Sequence, residues 1–96
     1  MQDILTKPCN IGDVAYEVDY DLRHGVITHT VSALYYTERY YDMQDGKRLM
    51  AGWNIETDAV DCKGQTWPDH YTVEGWENRI TTYEKALEIL NIKLNK

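Results

Sequence analysis

Hydrophobic and polar residues alternate most strictly near the start of the chain. Val14, Tyr16, Val18, Tyr20 and Leu22 interleave with Ala15, Glu17, Asp19, Asp21 and Arg23, the period-2 pattern of a strand with one covered and one wet face. Pro8 and the turn-like Asn10-Ile11-Gly12-Asp13 precede it, and Arg23-His24-Gly25 ends it, Gly25 being free to take a positive φ and begin a hairpin. Residues 26–36 are rich in Val, Ile, Thr and Tyr, hold neither Gly nor Pro, and carry apolar side chains at both parities. That predicts a long strand, central or strongly curved. Residues 40–44 and 47–51 flank Asp45-Gly46, the dipeptide of a type I′ turn, and predict a second hairpin. After Gly52, Trp53, Ile55 and Thr57 share one face of a short strand. Residues 58–69, with Gly64 and Pro68, read as a loop, and residues 70–76 as a last strand.

At the C-terminus the period lengthens. Ala86, Leu87, Ile89, Leu90, Ile92 and Leu94 form one helical face, Glu84, Lys85, Glu88 and Lys93 the other, and Thr81 with Glu84 has the spacing of a capping box, so a helix over 82–94 is predicted. The elements together predict an α+β, mostly β architecture. It is a small SH3-like barrel or curled antiparallel sheet of five to six strands, closed by one C-terminal helix. With 96 residues, one core and a single domain over 1–96 are expected.

Composition changes this picture in one respect. The chain has no Phe but eight Tyr and three Trp, so much of its apolar area comes from rings with a polar tip, which favour half-buried positions and interfaces. Charge narrows the partners: a formal net charge of -6 with no basic cluster disfavours direct contact with nucleic acid or an anionic membrane and favours a basic protein partner, such as a nucleic-acid-binding protein. Cys9 and Cys62 lack the spacing of a zinc or redox motif and read as free thiols. No leader and no membrane-length apolar run is visible, which places the chain in the cytoplasm as an expectation.

The segments Ile11-Gly12-Asp13-Val14-Ala15-Tyr16-Glu17-Val18-Asp19, Gly25-Val26-Ile27-Thr28 and Arg79-Ile80-Thr81-Thr82-Tyr83-Glu84-Lys85-Ala86-Leu87 resemble the opening strands and the last strand-to-helix junction of small SH3-like barrel proteins of Gram-positive bacteria, phages and mobile elements. The resemblance implies the barrel fold. It implies little about activity, and residues 35–76 depart from it in length and in their Tyr, Trp and acid content.

Two surfaces are candidates for binding. On one strand face Glu17, Asp19 and Asp21 repeat at about 6.6 to 6.8 Å, near the spacing of successive phosphates, so with Asp13 they define a DNA-mimicking face for a basic groove, as a phage or mobile-element inhibitor would use. Acids at 56, 58, 61, 69, 74 and 77 add to it. The second surface is aromatic, with Tyr40, Tyr41 and Trp67 expected outside because they adjoin turns. It supports the alternative of a structural domain that self-associates as a homodimer. His24, His29 and His70 show no metal-ligand spacing. Only His70 with Asp69 and His29 with Glu17 suggest acid–base pairs, and no nucleophile motif or phosphate loop accompanies them. No catalytic residue, metal or cofactor is predicted, and the expected function is non-catalytic protein binding.

Overall fold

The structure, a computed structural model, describes residues 6–96. Four strands, β1 (Val14–Val18), β2 (Val26–Met43), β3 (Gly46–Val60) and β4 (Thr66–Tyr71), form one antiparallel sheet in the order β1-β2-β3-β4. Two helices follow, α1 (Val73–Glu77) and α2 (Tyr83–Leu94). The α+β class agrees with the sequence. The strand number does not: the described residues hold four strands in an open sheet, because the pieces expected on either side of Thr37 are one strand and those on either side of Gly52 another. Ile80 adds a single antiparallel bridge to Tyr16.

The first strand is shorter than its alternation. It stops at Val18, and Asp21 caps a 3-10 turn at Leu22–His24, accepting from the Arg23 N–H. Neither face of β1 is wholly wet. Ala15 is buried against Val31, Ile55, Cys9 and the α1 residue Trp76, whereas Tyr16 and Val18 pack with Val26, Ala86 and Leu90 beneath α2. The small Ala side chain hides this second covered face from a hydrophobicity count.

A bulge in β2 explains the apolar residues at both parities. Val31 faces Thr57 but Ala33 faces Glu56, so Ser32 is an extra residue and the side-chain parity of β2 reverses there. Ile27, His29 and Val31 before the bulge, and Leu34, Tyr36 and Tyr40 after it, therefore share the face that holds Ala59, Thr57, Ile55, Trp53, Ala51 and Leu49 on β3.

β1 pairs with β2 only as far as Thr30, and β4 with β3 only over 55–60. Residues 37–52 therefore run on as a two-stranded arm, and the molecule measures 50 × 30 × 27 Å with a radius of gyration of 16.3 Å, against about 12 to 13 Å for a compact chain of this length. The arm turns at Gln44-Asp45, between the paired residues Met43 and Gly46. The expected type I′ turn is not formed: it needs positive φ at both central residues, and no non-Gly residue among those described has one, while Gly46 takes φ 125° just after the turn.

Two more expectations shift. The loop expected over 58–69 is the end of β3, a tight turn at 61–65 and β4, and the strand expected over 70–76 is the end of β4 followed by α1, which Thr72 caps by accepting from the Gly75 N–H. Pro68 is tolerated because β4 is an edge strand. The last helix is capped by Thr82, which accepts from Lys85, one residue later than the Thr81–Glu84 box. No helix among the described residues is long and apolar enough to cross a membrane.

Candidate functional site

The register that aligns β1, β2, β3 and β4 gathers polar side chains on an otherwise apolar face. Ala15 lies opposite His29, His29 opposite Ala59, Val31 opposite Thr57, and Thr57 opposite Asp69. His29 is 1% exposed and makes hydrogen bonds at both ring nitrogens, Nε2 to Glu17 Oε1 at 2.7 Å and Nδ1 to the buried Thr57 Oγ1 at 3.1 Å. The Asp69 Oδ2 lies 4.0 Å from Nδ1. At 2.7 Å a proton must lie between nitrogen and carboxylate, so Nε2–H donates to Glu17. The Thr57 hydroxyl, both donor and acceptor, satisfies Nδ1.

Tyr71 closes this cluster. Its ring meets His29 edge-on at 5.1 Å and Trp76 at 5.4 Å. Burial, and then the negative charges of Glu17 and Asp69, push its phenol up to about 12. Arg79 lies beyond, its guanidinium 4.4 Å from the Trp76 ring centroid and donating to the Trp76 carbonyl at 2.8 Å. Glu17, His29, Asp69, Tyr71 and Arg79 line a cavity of about 330 Å³ open to solvent. One ligating atom from each of Glu17, His29 and Asp69 lies within 4.8 Å of the other two, the only such trio of His, Cys, Asp or Glu among the described residues.

The second feature is the arm. Tyr36 and Trp53 meet edge-on at its base, 5.7 Å apart, and the same face continues to Ala51, Tyr40 and Leu49. Tyr40 is 70% exposed and Leu49 46%. On the opposite face Tyr41, Met43 and Met50 are exposed too. Glu38, Asp42 and Asp45 are matched by Arg39, Lys47 and Arg48, so residues 37–52 carry no net charge, and the formal -6 lies on the rest of the chain.

The residues singled out from sequence fall in different places. Glu17 is turned to His29, whereas Asp13 accepts from the Asn10 N–H at 2.9 Å and closes the turn before β1. Asp19 accepts from the Tyr20 N–H, and Asp21 binds the Arg23 guanidinium through both oxygens at 3.0 and 2.9 Å. Because β1 ends at Val18, Asp19 and Asp21 do not continue the strand repeat of Glu17, and the even acidic stripe is not built. Asp61 is an internal tie: its carboxylate accepts from the Lys63 and Gln65 N–H groups and contacts His24 Nδ1 at 2.9 Å. Tyr40 and Tyr41 are exposed on the arm, but Trp67 is half-buried beside the His24 ring. Of the two suggested acid–base pairs, His29 and Glu17 are together; the contact of His70 with Asp69 runs through the main chain, the His70 N–H donating to the Asp69 carboxylate. Cys9 is buried and Cys62 exposed, both as free thiols, and burial pushes the Cys9 thiol up. Sequence reasoning missed Thr57 and Tyr71 and matched Asp69 with His70 rather than with His29, because these contacts need the β2–β3 and β3–β4 pairings, and it missed Leu49, which the hairpin register places opposite Tyr40.

Compared with family models, curated proteins and solved structures, the chain matches none.

Proposed function

We propose that this chain is a protein-binding module without catalysis of its own, and that its arm docks against the arm of a second copy. The observation that carries this is the apolar face that leaves the core and runs out along β2 and β3 to the exposed Tyr40 and Leu49. A two-stranded ribbon is marginal alone, and both of its edges present unpaired backbone groups. A second arm covers the face and satisfies an edge together.

Charge favours a copy over a basic partner at this surface. A basic partner calls for acids around the docking face, and the arm is neutral; a homodimer calls for like charge to be kept away from the interface, which is where the excess lies. A basic protein remains the second reading, for the body. There Glu56, Asp58 and Asp69 edge a groove of about 550 Å³. The SH3-like kinship belongs to the same proposal, supported by the Tyr16–Ile80 bridge and the terminal helix.

Sedimentation of the chain across a range of concentrations tests the reading. Wild type is expected to dimerise and a Tyr40→Asp, Leu49→Asp variant to stay monomeric with an unchanged circular dichroism spectrum. A wild type that is monomeric at millimolar concentration overturns it.

A further inference from the structure

We infer that Glu17, His29 and Asp69 form a binding site for a first-row divalent cation of the zinc type. The argument is independent of the arm. Imidazole suits zinc and its neighbours, and carboxylates complete mixed nitrogen and oxygen sites of the same ions; three protein ligands with the remaining position left to water is the usual open arrangement. Here the three ligating atoms already lie within 4.8 Å of one another. Metal–ligand bonds of about 2.0 to 2.2 Å place ligands roughly 3.3 Å apart around a tetrahedral centre, so the carboxylates must close in, and Asp69 the further, because its Oδ2 lies 4.0 Å from Nδ1 and must swing toward the Nε2 edge of the ring.

The three side chains divide the work in a way that permits it. His29, 1% exposed, is held in place, while the Glu17 and Asp69 side chains, 39% and 34% exposed, have room to close. Thr57 supplies the partner that a ligating histidine needs on its other nitrogen. With Nδ1–H donating to Thr57 Oγ1, the Nε2 lone pair points toward Glu17 Oε1, and a cation takes the place of the proton now between them. The proton leaves to solvent through the adjoining cavity of about 330 Å³, which also admits water to the open position.

The surrounding field agrees. Glu17 and Asp69 bring two carboxylates to the cavity wall, against the one guanidinium of Arg79. The nearby cation, Arg79, is engaged with the Trp76 ring and carbonyl.

Calorimetric titration of the untagged, metal-stripped chain with zinc chloride tests the assignment, with the visible spectrum of the cobalt(II) form identifying the ligands. One equivalent is expected to bind. Glu17→Gln and Asp69→Asn, both at partly exposed positions and checked for fold by circular dichroism, should each weaken binding tenfold or more, and Cys62→Ser should leave it unchanged. The cobalt spectrum should lack thiolate charge-transfer bands. The assignment is overturned by no binding, by affinity that survives both carboxylate changes, or by affinity lost with Cys62.

Discussion

Single residues around the 3-10 turn tie the β1–β2 connection to the β3–β4 turn at the same end of the sheet, and their chemistry makes distinct predictions. Gly25 has φ 63°, and a Cβ there would stand 2.8 Å from Cys62 Cβ and 2.9 Å from its sulfur. Gly25→Ala therefore meets both the left-handed backbone cost and a collision with a neighbouring chain segment, and should destabilise the fold by about 2 to 4 kcal/mol; chemical denaturation measures it, and a loss below about 0.5 kcal/mol would mean that the strand ends yield freely. Asp61 makes the complementary tie. Its hydrogen bond with His24, assisted by the Gln65 and Lys63 N–H groups and opposed by desolvation, holds its carboxyl below the ordinary value of 3.8. A carboxyl depressed in the folded state stabilises fully above its unfolded value and loses that contribution as pH falls through the folded value. The urea midpoint should thus fall as pH drops below 3.8, and Asp61→Asn should be weaker at neutral pH but flatter in this acid range. Parallel decline in both proteins would remove Asp61 from the acid response.

At the level of elements, the bulge at Ser32 decides what the arm presents. Deleting Ser32 removes the extra residue, so Val31, Ala33 and Leu34 follow one another opposite Thr57, Glu56 and Ile55 in unbroken alternation, and Leu34, Tyr36 and Tyr40 keep the face they share with Ile55 and Trp53. Only the kink and the bond from the Ser32 hydroxyl to the Glu56 carbonyl are lost, on the order of 1 kcal/mol, so the deletion should keep a cooperative thermal transition; an abolished transition would show that the bend the bulge puts into β2 is itself needed to join arm and body. This bulge also marks where sequence reading stops. Alternation over Val14–Val18 and the helical period over Tyr83–Leu94 were legible because each is a local pattern, and the Gly25 turn was legible because its backbone demands Gly. The strand at Thr66–Tyr71 was not, since Pro68 and Gly64 are loop signals unless the strand is known to lie at an edge. The same ignorance hid the His29 cluster: Glu17 could be paired with His29 from the first hairpin, but Thr57 and Asp69 join only through β3 and β4. The acidic stripe failed for a local reason, because the Asp21–Arg23 pair and its 3-10 turn compete with strand continuation.

Across the whole molecule, the separation of a neutral arm from an acidic body makes salt a discriminating variable. Two bodies of formal charge -6, joined through their arms and held on the order of 50 Å apart, repel by about 3 kcal/mol in unscreened water. A Debye length of about 30 Å at 0.01 M leaves roughly a fifth of that, and one of about 10 Å at 0.1 M leaves almost none. Dimerisation through the arms should therefore strengthen about two- to threefold as salt rises from 0.01 to 0.1 M, and sedimentation equilibrium at the two salt concentrations measures it. Attraction of the acidic body to a basic protein has the opposite sign, weakening steeply over the same interval. If self-association itself weakens with added salt, the contact must run between the cationic side chains of one arm, Arg39, Lys47 and Arg48, and the acidic body of the other copy. The arm-to-arm arrangement would then be wrong even though the dimer is real.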